Sequence, residues 1–193
     1  MLRLNVVIAL GAVHDINNGQ PSALARWIEG GLVTKSEFCE IVLQSIQPAE
    51  TLIGMVPADK LNWKPGPTFM STGQVICHLS DGIGGGLETL VSGKWPPMEE
   101  MEAGMKLENM PSCGVQEALS KLEKDKRILR ATLDGISEDD FTNRVVSVPW
   151  GWKDKFEIMS VAFLGHFNNH KMQLFIYLKL QGLPVNTESL YGR

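Results

Sequence analysis

From Ser36 onward apolar residues recur at helical intervals. Phe38, Ile41, Val42, Ile46, Ala49, Leu52, Ile53 and Val56 fall on one stripe and predict a first helix, kinked at Pro48. The turn-rich run Leu61-Asn62-Trp63-Lys64-Pro65-Gly66-Pro67 interrupts the pattern. Ser71, followed three positions on by Gln74, has the spacing of a capping box, in which each side chain satisfies a backbone donor of the other residue. A second helix therefore starts there, with Val75, His78, Leu79 and Gly82 along one stripe. Gly84-Gly85-Gly86 falls inside its continuation, and three glycines cost about 2 to 3 kcal/mol against alanines. We read a kink or break, with close approach of a backbone or ligand as the alternative.

The stretch Lys94–Ser112 contains Pro96, Pro97 and Pro111 and reads as a loop, its Glu99, Glu100 and Glu102 as solvated carboxylates rather than ligands. A third helix is expected over Val115–Leu133, with Leu119, Leu122, Ile128 or Leu129, and Leu133 inward and Gly135 closing it. Arg144–Trp152 is the one segment with β character, a short extended piece or hairpin. The longest helix is predicted from about Lys153 to Gln181, ended by Gly182 and Pro184. These elements predict an all-α protein: an up-and-down four-helix bundle with long connections and a small extended or hairpin segment before the last helix.

At 193 residues the chain suits one domain. Residues 1–33 differ in texture, with Asn17, Asn18, Gly19, Gly30 and Gly31 breaking every period, and are expected to be an extension, poorly ordered or foreign to the domain, with the helical domain spanning 34–193. Met1–Val13 is apolar apart from Arg3 and Asn5, but its charged start is thin and its cleavage pattern poor, so it is not read as a signal peptide. No run approaches the roughly 18 to 20 apolar residues of a membrane span, so no membrane partner is expected. The net charge is -4 and the basic residues are scattered, which argues against a grip on nucleic acid phosphates. Cys39, Cys77 and Cys113 are odd in number and form no CxxC pair, which fits a reducing cytoplasm and no disulfide framework. Cys77 abuts His78, but adjacent helical residues point about 100° apart, so Cys77 is read as core.

The candidate chemistry lies in three histidines. His166 and His170 are four residues apart in the last helix and point the same way, so they can grip one ion, and His78 from the second helix would complete a three-nitrogen site. Such a site keeps coordination positions for water or substrate. The competing reading makes His166 a hydrogen-bonded core residue and His170 a rim residue. Phe167 follows His166, so there is no HExxH motif, and there is no Gly-x-Ser-x-Gly elbow either. The run Gly82–Gly86 lacks the preceding strand of a nucleotide loop. Trp150, Trp152, Met159, Phe163 and Tyr177 are candidates for lining an apolar pocket, or for core. His14, in the extension, is given no role.

Taken together, Leu61-Asn62-Trp63-Lys64-Pro65, Ile76-Cys77-His78-Leu79, His166-Phe167-Asn168-Asn169-His170-Lys171-Met172-Gln173, Tyr177-Leu178-Lys179-Leu180-Gln181-Gly182 and Leu190-Tyr191-Gly192 resemble the DinB/YfiT-like superfamily of helical proteins, unrelated to the polymerase of the same name. The resemblance spans roughly Thr34 to Gly192. It implies a four-helix bundle, often a homodimer, that holds a divalent metal, zinc or nickel first among the candidates, on residues matching His78, His166 and His170. It further implies a small-molecule substrate and a metal-dependent transferase or related enzyme that uses a low-molecular-weight thiol such as bacillithiol, mycothiol or glutathione. Gln173 matches the family's glutamine after the last histidine and is read as packing or as orienting a ligand. The glycine run departs from the bulky residues usual at that place. Two other readings stay open: a non-enzymatic, stress-related helical dimer, and a metal-dependent hydrolase that uses metal-bound hydroxide directly.

Overall fold

The computed structural model describes residues 33–192, so the expected extension, His14 included, lies outside the described residues apart from Val33. The first helix, α1 (Lys35–Gly54), begins where Thr34 and Glu37 form a capping box. Phe38, Val42, Ile46, Ala49, Leu52 and Ile53 are buried along its inner face. Pro48 lies inside the helix and is itself buried. Val33, just before the cap, donates its N–H to Glu157 at 2.8 Å. After a 3-10 turn at Ala58–Lys60 comes α2 (Thr72–Ser80), started by the Ser71–Gln74 capping box that the sequence predicts.

The expected stripe through Gly82 does break. Helix α2 ends at Ser80, Gly82 turns the chain at φ 57, and α3 (Gly84–Ser92) starts within the glycine run. The cause lies in α5 (Val115–Asp134), whose buried Asp125 accepts hydrogen bonds from the backbone N–H groups of Ile83 (3.0 Å), Gly84 (2.9 Å) and Gly85 (2.9 Å). A helix start has orphan donors, and here a carboxylate from another helix satisfies them. Burial raises the Asp125 carboxyl above the usual range, and the three N–H groups oppose that. A Cβ on Gly84 would lie 2.3 Å from the carbonyl oxygen of Asp125 and 2.7 Å from the nitrogen of Leu129, so α3 and α5 touch backbone to backbone. A Cβ on Gly86 would meet the Phe163 ring at 2.6 Å. The run is therefore both a break and a close approach on two sides.

The expected Lys94–Ser112 loop contains α4 (Met98–Met105) and a 3-10 turn at Leu107–Asn109. Pro97 precedes α4, and Glu99 and Glu100 complement the positive end of its dipole. No residue of α4 is buried, and Glu99, Glu100 and Glu102 are exposed, as solvated carboxylates should be. The third expected helix is α5, with Leu122, Leu129 and Leu133 buried and Leu119 partly so. A short α6 (Glu138–Asn143) leads into an antiparallel hairpin, β1 (Val145–Ser147) with β2 (Lys153–Lys155), in which Val146 pairs with Asp154. Lys153–Lys155 are thus taken by a strand, and the last long helix, α7 (Phe156–Leu180), starts three residues later than the sequence predicts. Gly182 follows it at φ 80, and α8 (Thr187–Tyr191) ends the described chain.

The described residues are mostly helical, with one two-stranded hairpin among them. The core is shared by α1, α2, α3, α5 and α7, and Phe141 joins α1 to α7, its ring centroid 5.6 Å from Phe38 and 5.7 Å from Phe156. A partly buried ion pair, Lys126 with Glu50 at 2.8 Å, links α1 to α5, and an exposed one joins Lys121 to Asp81 at 2.9 Å.

Replacing Asp125 with alanine strands three backbone donors, and we expect a loss of roughly 3 kcal/mol, read as a lower urea midpoint. Asp125→Asn, which keeps an acceptor oxygen, should lose less. Equal stability of Asp125→Ala and wild type would show that solvent serves those donors as well.

Candidate metal centre

Two helices supply the centre. His78 sits in the last turn of α2, and His166 and His170 project from successive turns of the middle of α7. The structure brings all three together: the Nε2 atoms of His78 and His166 are 3.1 Å apart, and the His170 ring centroid lies 4.5 Å from each of the other two. One ligand nitrogen from each ring lies within 4.8 Å of the others, close enough to hold a single ion. For comparison, metal–nitrogen bonds of about 2.0 to 2.1 Å in a tetrahedron separate neighbouring nitrogens by roughly 3.3 Å. The rings meet edge to face, at 75° to 89°, so their nitrogens converge rather than stack.

Burial lowers the pKa of His78 to about 4, helped by His170 and His166 and opposed by Asp81. His166 is lowered by burial and then by His170. At neutral pH these imidazoles are neutral with lone pairs available, which is the protonation state a metal requires. His78 and His170 are partly buried and His166 is exposed, so the cluster opens to solvent on one side. The donor set fits a borderline divalent ion: three imidazole nitrogens and an open approach. Gln173 is more than packing, because its Oε1 lies 2.8 Å from His170 Nδ1.

Other candidates sit elsewhere. Cys77 is buried, as expected, with the Lys121 ammonium 3.4 Å from its sulfur. Neighbouring Cys113 is pushed up to about 12 by burial and by its hydrogen bond with Cys77. All three cysteines are free thiols. Met159 is wholly buried core. Phe163 fills the notch left by Gly86, and Tyr177 is buried against Trp63 at 5.3 Å. Trp150 and Trp152 are exposed on the hairpin turn, where Trp150 meets Trp95 edge-on at 5.6 Å. Asp125 escaped the sequence reading, since nothing in a helical stripe marks a carboxylate that serves a helix start 40 residues away.

The histidine shifts set a pH dependence for metal-free protein. A folded pKa of about 4 for His78 against 6.5 for the ordinary side chain means that the unfolded state binds more protons between those values. The contribution is complete above the ordinary value and is lost as pH falls towards about 4. In chelator-treated protein the thermal midpoint should drop across that window, and the drop should shrink in His78→Phe. Identical pH slopes for the two proteins would refute it.

Among the described residues no helix is long and apolar enough to cross a membrane. Comparison with curated proteins finds no match. A family comparison does: the sequence pattern of the DinB superfamily matches residues 44–173, a stretch that includes all three histidines and Gln173. With more than half of its length matched, the chain belongs to the DinB superfamily, and its three histidines lie close enough together to hold a metal ion.

Proposed function

We propose that the protein is a metal-dependent enzyme of the DinB superfamily, with His78, His166 and His170 as the ligands of one divalent ion and a low-molecular-weight thiol as co-substrate. The observation that carries the reading is the convergence of three imidazoles from two helices at a solvent-open surface, with His78 and His166 held neutral by burial. A divalent ion bound there supplies Lewis acidity, which lowers the pKa of a thiol or water and favours its anion as nucleophile. The chain's own part is to hold neutral donors in place and leave one side accessible. His166, the exposed member, borders that opening, where a small electrophile would arrive. Nitrogen ligands suit zinc or nickel.

The domain spanning 34–193, arranged as a four-helix up-and-down bundle, is the proposed scaffold, and the free cysteines support a reducing cytoplasmic setting. A homodimer through α7 is also proposed. Val161, Met172, Ile176 and Leu180 are all exposed and lie within an arc of about 100° on that helix.

Protein purified without a polyhistidine tag should carry about one metal equivalent by mass spectrometry, and His166→Ala/His170→Ala should carry little. His78→Ala alone should weaken zinc binding by more than the roughly 10- to 100-fold typical of losing an outer partner. Failure of metal-depleted wild type to take up zinc or nickel would overturn the reading. Turnover of electrophiles should need bacillithiol, mycothiol or glutathione, and turnover without any thiol would favour a hydrolase. Light scattering should give a dimer mass for wild type and a monomer mass for Ile176→Lys, and a monomeric wild type would refute the dimer.

A further inference from the structure

Which nitrogen of an imidazole carries its hydrogen is set by what the ring's other nitrogen touches. For His170 a chain of contacts decides it, starting from a group that has no choice. The Met70 carbonyl oxygen can only accept, so the Tyr177 hydroxyl, 3.1 Å away, donates to it. The hydroxyl oxygen is then the acceptor for the Gln173 amide nitrogen, at 3.1 Å. With its nitrogen turned to Tyr177, Gln173 presents its carbonyl oxygen to His170 Nδ1 at 2.8 Å. That oxygen also only accepts, so Nδ1 carries the hydrogen and the lone pair of the ring falls on Nε2. The opposite tautomer would set two acceptors against each other at hydrogen-bond distance in a partly buried place.

We infer that Tyr177 and Gln173 are positioning residues that fix His170 in the Nδ1–H tautomer, so that it offers the cluster an unprotonated Nε2. The relay is anchored in the loop before α2. Tyr177 is 3% exposed and wedged on the edge of Trp63, and one turn further Gln181 donates to the Thr72 hydroxyl at 3.1 Å. Thr72 is itself bonded to the Trp63 carbonyl through its N–H (2.8 Å) and its hydroxyl (3.1 Å). The origin of the relay is therefore a backbone carbonyl, which no side-chain rotation can reverse. His78 and His166 are different. Their Nε2 atoms face each other at 3.1 Å, one as donor, so one ring must move its hydrogen to Nδ1 before both can serve a single ion. His170 is the member set in advance.

The inference rests on the proposed metal reading for its purpose, but the tautomer exists without metal and is tested separately. Full-length untagged protein with 15N-labelled histidine is stripped of metal by chelation, and long-range proton–nitrogen correlation reports the tautomer of His170, assigned by its loss in His170→Ala. Wild type should show Nδ1–H. Gln173→Leu and Tyr177→Phe should shift the ring towards Nε2–H and raise the zinc dissociation constant, measured by competition with a chromophoric chelator, by about 10- to 100-fold. Gln173→Glu, which keeps an acceptor at Nδ1, should restore both. If Gln173→Leu fails to fold, Tyr177→Phe, the loss of one oxygen, serves in its place. Nε2–H in wild type, or variants with unchanged tautomer and zinc affinity, would overturn the inference. The tautomer and its loss in the variants, in a protein that takes up no zinc, would sustain the inference and overturn the metal reading alone.

Discussion

The contact on which the rest of the structure depends is the carboxylate of Asp125 at the start of α3. Without it the chain between Ser80 and Gly84 would have to break a helix, bury three donors and gain nothing. With it, α2 can end early and α3 can leave in a new direction while both stay packed on α5. The same glycines then accept the backbone of α5 on one side and the ring of Phe163 on the other. Phe163 lies one turn before His166, and His78 lies one turn before the break. One buried carboxyl thus fixes both the break that follows His78 and the glycine notch that Phe163 fills.

That arrangement also accounts for the electrostatic character of the cluster. Three rings crowd together with no carboxylate among them in the described residues, so a proton added to His78 would face its neighbours in a half-buried space. Asp81, which opposes the His78 shift and is the smallest of its four causes, is held at 2.9 Å by the Lys121 ammonium. Burial thus holds His78 and His166 as neutral imidazoles rather than as an acid–base pair, which would need its members' proton affinities pushed apart.

Much of this was legible along the chain where the signal is local. The Ser71–Gln74 capping box, the hairpin around Trp150, the end at Gly182 and the pairing of His166 with His170 each depend on residues within a few positions of one another. What stayed hidden is what needs a distant partner. The glycine run reads as damage to a helix until Asp125 arrives from 40 residues away to complete it. Lys153–Lys155 look like a helix start because nothing in their own sequence reveals that β1 will pair with them. The role of Gln173 is invisible without the Met70 carbonyl, 107 residues from Tyr177. Helix α4 was missed for another reason: it buries no residue, so it leaves no apolar stripe to read.

That last helix and Gln74 together have an evolutionary consequence. The Gln74 side chain closes the capping box of α2 and also donates to the carbonyls of Leu107 (2.8 Å) and Met110 (3.1 Å), so the segment bearing α4 hangs from the helix of His78, one turn from the histidine itself. Trp95, Leu107 and Met110 pack that segment against the core, but α4 itself buries no residue, so substitutions on it carry little penalty in stability. Tethered beside the cluster, such changes would alter the surroundings of the histidines and leave the core packing that aligns them untouched. The fold thus places a helix that buries no residue one turn from a histidine that is locked into the scaffold.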